Sequence, residues 1–172
     1  MKGVDWKSVA YDIAWAFAAA MIIRFVFGAF LGTSFPFVAV MSGSMTHDAI
    51  AQQNYYVWMT LHGFSMDQIA SFPFPDGFSK GDALLVGSPE NISVGDVVLY
   101  VNPELGYPII HRVINVTPEG CVTKGDHNPA PDPWVVRRDW IRGKALLLIP
   151  LVGWIRVLPT EIIYRVFHLW PA

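Results

Sequence analysis

A single cysteine, Cys121, stands in the 172 residues, so no disulfide can close within the chain, and the redox compartment is left open. Charge is scarce as well. Only 15% of residues are Asp, Glu, Lys or Arg, and the net charge of −2 leaves no electrostatic footprint for nucleic acid. No lysine or arginine occurs between Arg24 and Lys80. What fills the chain instead is apolar: 53% hydrophobic residues, seven Trp, eleven Phe, and a mean hydropathy of +0.37. A fully soluble domain rarely has that balance, whereas a single domain attached to a membrane does.

From Ala10 to Leu31 nearly every residue is apolar, which is long enough for a helix to cross the ~30 Å hydrocarbon layer. Asp12 and Arg24 interrupt the run. A central arginine costs about 2.5–3.5 kcal/mol on insertion scales, less if it snorkels or meets a partner. Trp6 and Trp15 suit an interface, and the absence of a compact core followed by Ala-x-Ala argues against a cleaved signal peptide. Lys2 and Lys7 precede the span, so the positive-inside bias places residues 1–9 in the cytoplasm and the remainder outside, anchored in the cell membrane by one pass. Gly32 to Pro36 should end the helix.

Residues 32–158 form the expected extracytoplasmic domain. Within it, 46–79 is aromatic and breaks at Pro73, Pro75 and Gly77. That segment suits either a short amphipathic helix near the membrane or a hydrophobic cover over one side of the domain. Beyond it the runs "KGDALLVGS", "VGDVVLYVN", "YPIIHRVINV" and "GCVTKGD" read as short strands divided by turns. The fold class is therefore mainly β, an antiparallel sheet or barrel-like domain, with an N-terminal transmembrane helix. The last apolar stretch reads as strand and loop, then an amphipathic membrane-associated tail over 159–172.

Chemistry concentrates in three places. "MSGSM" puts Ser44 between Gly43 and Met45, where the backbone can turn sharply and the Ser42 hydroxyl is close enough in sequence to assist an oxyanion. Ser-Gly pairs are mostly turns, so this motif alone says little. In "YPIIHRVINV" strand alternation places Ile109, His111 and Val113 on one face and Arg112 on the other, making His111 the best base. Arg112 is never deprotonated. His47 and His127 are rivals in polar turns. "TKGDHNPAPDPW" offers Asp126 and Asp132 to orient an imidazole, although loop aspartates commonly cap turns. A zinc site from His111, Cys121, Asp126 and His127 matches no familiar ligand spacing, and no cofactor is expected.

The ordered set of a membrane span, "MSGSM", "GDVVLY", "IIHRVI" and "TKGDHNPAPD" resembles type I signal peptidases of the archaeal and endoplasmic-reticulum branch, over roughly Ala10 to Gly153. The resemblance implies a membrane-bound serine endopeptidase, without metal, that cuts secreted preproteins after small residues. It implies Ser44 as nucleophile, His111 as general base, Asp132 as the aspartate completing the triad, Asp126 in support, and Ser42 beside the oxyanion hole. Its partners would be signal-peptide-bearing preproteins, the lipid bilayer and components of the secretion machinery. Two departures stand out: Met45-Thr46-His47 lacks the family's frequent proline, and 46–79 exceeds the family minimum. A self-cleaving repressor on the same scaffold would need a lysine near the "IIHRVI" strand, and none is expected there. A membrane-anchored scaffold with an inactive fold is the other rival. Asn91 and Asn115 are weak glycosylation signals.

Overall fold

The computed structural model describes residues 4–166. The ends of the expected cytoplasmic segment and of the tail, residues 1–3 and 167–172, lie outside them. The first element is α1 (Trp6–Leu31), capped by Asp5, whose side chain accepts the Lys7 amide, and closed by Gly32 at φ 67°. The helix is long and apolar enough to cross a membrane, and none of its residues is buried in protein. Arg24 reaches along the helix to donate to the Ser34 carbonyl at 3.0 Å, near the face of Phe35, so its charge is carried toward the domain end.

Thr33 then fastens the helix to the body. It is buried, and its hydroxyl donates to the Arg142 carbonyl at 2.7 Å. β1 (Phe37–Ala39) follows, a strand hidden in sequence behind the apolar run. Next come α2 (Ala49–Leu61) and α3 (Met66–Ser71), the latter started by a Ser65–Gln68 capping box. The strands are β2 (Ala83–Gly87), β3 (Val97–Val101), β4 (Pro108–Thr117), β5 (Gly120–Lys124), β6 (Val136–Arg137) and β7 (Ile141–Ile149). All seven pair antiparallel in the order β1-β2-β7-β3-β4-β5-β6.

β3 explains how the core is organised. Val97 and Leu99 enter one apolar cluster with Val40, Met45 and Leu84, while Val98 and Tyr100 enter another with Val113, Cys121 and Val136. Strand alternation thus buries both faces of this central strand. The segment 46–79 is a helical cover with a small core of Tyr55, Met59 and Ile69, the first two one helical turn apart. Ile114 of β4 packs against it.

α4 (Trp154–Val166) begins ahead of residue 159, where the tail was expected to start. The reason is local. Asp82 accepts the Leu151 amide at 3.0 Å, and Trp154 lies over Gly81, where an added Cβ would come within 2.0 Å of the indole nitrogen. Lys80 pairs with Glu161 of the same helix. Ile155, Leu158, Ile162 and Ile163 of α4, together with Leu147 and Leu151, remain exposed as an apolar face of the kind that lies on a bilayer.

Candidate active site

β4 carries the two side chains around which everything else is arranged. Its register sets His111 opposite Val98, and sets Arg112 between Val97 of β3 and Lys124 of β5. Alternation sends them to opposite faces, as the sequence pattern requires, and each finds an aspartate from the loop after β5.

On one face His111 Nδ1 meets Asp132 Oδ2 at 2.7 Å. Asp132 is brought there because its amide donates to the Thr123 carbonyl at 2.8 Å, continuing the line of β5 after the Pro-rich turn. The same Oδ2 accepts the Thr123 hydroxyl at 2.5 Å and the Tyr100 hydroxyl at 2.9 Å; Tyr100 in turn accepts from Trp134 Nε1 at 3.3 Å. Burial alone would raise the carboxyl's pKa. Hydrogen bonding and charge from His111, with the two hydroxyl donors, outweigh it and hold Asp132 below the ordinary carboxylate range. An ionised Asp132 takes the Nδ1–H of His111, leaving Nε2 as the nitrogen able to accept a proton.

On the other face lies a buried ion pair. Arg112, fully buried, donates through Nε and Nη2 to Asp126 at 2.7–3.2 Å and through the rest of its fork to the carbonyls of Pro73, Gly95 and Phe74. Phe74 sits at φ 55°, a strained setting that presents its carbonyl to the guanidinium. Asp126 also accepts from His47 Nε2 at 3.0 Å. Burial raises its pKa, and the His47 hydrogen bond and Arg112 charge more than reverse that, so the group stays ionised well below the usual range.

Ser44 lies in a turn closed by the Thr46 amide on the Gly43 carbonyl at 3.0 Å, and its hydroxyl is 3.2 Å from that of Ser42. Its own carbonyl accepts the His127 amide at 2.9 Å. Ser42, Ser44, His111 and Asp132 line one cleft of about 520 Å³, walled on one side by residues 38–42 and on the other by 107–111. A hollow of similar volume beside Glu90, Cys121 and Arg138 holds none of these residues.

The expected site residues therefore separate into two groups. Ser42, Ser44, His111 and Asp132 share the cleft, whereas Asp126 sits behind it with Arg112. Neither rival histidine takes the place of His111: His47 is committed to Asp126, and His127 is exposed, contributing its backbone amide. Among the described residues no group of His, Cys, Asp and Glu is placed to hold a metal, and Cys121 is enclosed in an apolar cluster where burial raises its thiol to about 11.

One expectation needs correction. A lysine does stand near the "IIHRVI" strand: Lys124 is opposite Arg112 on β5. It lies on the face away from His111, with Nζ bonded to the carbonyls of Gly125 and Asp126 and close to the Trp58 ring, and burial lowers its pKa more than the Asp126 charge raises it. Sequence reasoning passed over Tyr100 and Thr123. Both were visible as polar groups at inward positions of strands, at the same alternation that singled out His111.

No family model matches the chain. In an alignment 115 positions long that covers 54% of this chain, it is 29% identical to the signal peptidase complex catalytic subunit SEC11 of the yeast Ogataea parapolymorpha. The chain spans 65% of that relative's length. This similarity supports the resemblance to type I signal peptidases of the endoplasmic-reticulum and archaeal branch.

Proposed function

We propose that this chain is a membrane-anchored serine endopeptidase that removes signal peptides from preproteins. The observation that carries the reading is the union, in one cleft, of Ser44, His111 and Asp132, with the imidazole bonded to the carboxylate at 2.7 Å. The SEC11 likeness adds to it.

In this reading neutral His111 accepts the Ser44 proton through Nε2 as Oγ attacks the scissile carbonyl, and Asp132 stabilises the imidazolium. His111 then returns the proton to the departing amine, and water repeats the sequence in reverse to free the acyl group. Ser42 is positioned to assist the oxyanion. Asp126 supports the site from behind by holding the loop after β5. The two walls of the cleft are main chain in extended or turn form, which suits an extended substrate whose alternate side chains enter apolar space beside Val38, Val40 and Ile110. Helix α1 would fix the domain at the membrane with its N-terminus in the cytoplasm, 32–158 outside, and α4 lying on the lipid. Subunits of a secretion complex are proposed partners, on the model of the relative's own designation.

The test is cleavage of a membrane-tethered preprotein with an Ala-x-Ala site by the full chain in lipid. Ser44→Ala and His111→Ala should each abolish turnover while the substrate still binds. Cleavage by His111→Ala within tenfold of wild type would refute the assignment of the base, and an active Ser44→Ala would refute the mechanism.

A further inference from the structure

The loop that carries Ser44 is joined to the loop after β5 by three successive contacts. The Ser44 carbonyl accepts the His127 amide at 2.9 Å, the Met45 sulfur accepts the Asp126 amide at 3.5 Å, and His47 Nε2 meets Asp126 Oδ2 at 3.0 Å. The first uses backbone groups that any sequence supplies, and the second adds a weak thioether acceptor from Met45. The third joins two side chains, and its histidine is drawn from the segment where this chain departs from the familiar pattern.

His47 is poorly explained as core filler. Its side chain is 1% exposed, yet among the described residues Nδ1 has no hydrogen-bond partner, and neither does the hydroxyl of Tyr55, whose ring lies 4.6 Å from the imidazole. A leucine or methionine would fill this space without a stranded polar atom. Nor does Asp126 need His47 for neutrality, because Arg112 already pairs with it in a bidentate manner. What Nε2 adds is direction. It donates to the same oxygen that Arg112 Nη2 holds, so the position of His47, three residues beyond Ser44, is referenced to the most deeply buried ion pair among the described residues.

We propose that His47 is a positioning residue for the nucleophile: it ties the Ser44 turn to the Asp126–Arg112 pair, and through the Tyr55 contact it makes the helical cover α2–α3 part of that support. The proposal rests on the function proposed above. Loss of the tie leaves binding of the substrate intact and spoils the approach of Ser44 Oγ, so the effect falls on kcat. A misplacement of the order of 1 Å at a reacting atom is worth about 10²-fold in rate.

The experiment compares wild type, His47→Leu and His47→Gln in the full chain in lipid, with Ser44→Ala as the blank. Gln offers an amide N–H at the reach of Nε2; Leu offers only volume. The expected result is a fall in kcat of about ten- to a hundredfold for His47→Leu with KM within about twofold, and recovery to within about threefold of wild type by His47→Gln. Thermal unfolding of both variants is followed alongside. His47→Leu at wild-type kcat, or His47→Gln as slow as His47→Leu while both melt like wild type, overturns the proposal. So does a loss confined to KM. A wild type no more active than Ser44→Ala instead overturns the function itself. Nitrogen-15 NMR then separates the two failures, because the Nε2–H tautomer of His47, which the Asp126 oxygen fixes as acceptor, reports the tie without any turnover.

Discussion

Replacing Arg112 by methionine is the most severe single test of the architecture behind the cleft. Methionine matches the length of the stem and keeps contact with Tyr55, over whose ring the guanidinium now lies at 5.5 Å. It removes every hydrogen bond from the fork, stranding the carbonyls of Pro73 and Gly95, leaving that of Phe74 with the Gly77 amide alone, and leaving the Asp126 carboxylate, 2% exposed, with only the His47 donor. Breaking a buried pair from one side costs about 3–5 kcal/mol. At about 2–4 °C per kcal/mol for a chain of this size, the melting temperature should fall by roughly 10 °C. The variant also has a characteristic pH dependence. In the wild type the folded-state pKa of Asp126 is depressed, so its contribution is fully present above the ordinary carboxylate value of 3.8 and is lost as pH falls through the folded value. Without Arg112 the desolvation that now loses to that charge prevails, and the carboxyl favours its protonated form. The gap between wild type and Arg112→Met should therefore narrow as pH is lowered toward 4, and the double variant Arg112→Met/Asp126→Asn should recover part of the loss at pH 7. Calorimetry or tryptophan fluorescence of the full chain in detergent reads all three. A melting temperature within 3 °C of wild type, or a gap independent of pH, would refute the view that this pair is the fixed point of the fold.

Asp132→Asn keeps the shape of the cleft but presents an amide donor to His111, turning Nδ1 into the acceptor and putting the proton on Nε2. By analogy with triads in which this exchange installs the wrong tautomer, kcat should fall by about 10³–10⁴ in single-turnover cleavage with KM little changed; a loss under tenfold would exclude an orienting role. Cys121, raised to about 11 by burial, should resist maleimide at pH 8 in the folded chain and react at once in denaturant; prompt labelling of the native protein would contradict its place in the core.

The strands were legible because the relevant physics is local: alternation in "YPIIHRVINV" separates His111 from Arg112 by face, and turns with Gly-Asp or Pro divide the runs. The long apolar run and the break at Gly32 are equally local. Which aspartate would meet which partner was not legible, since Asp126 and Asp132 lie in one Pro-rich loop and their destinations depend on a single backbone bond, Asp132 to Thr123, that folds the loop back along β5. The lysine near β4 was missed for a similar reason: Lys124 adjoins Arg112 only through strand register, not through sequence. α4 began earlier than expected because its start is set by a tertiary contact, Trp154 on Gly81, which no helix signal in the sequence encodes.

The Thr33 clip bears on how a cut site is chosen. Thr33, at the end of α1, is bonded to β7 of the sheet, so under the proposed function, with α1 in the bilayer, the cleft does not swing freely on its tether and rides at a set altitude above the lipid. Under the proposed function the enzyme then measures depth: of the many Ala-x-Ala sequences in a secreted protein, only those held at that altitude by their own membrane segment come level with Ser44. Selectivity of this kind is written in the length of a span rather than in the chemistry of a pocket.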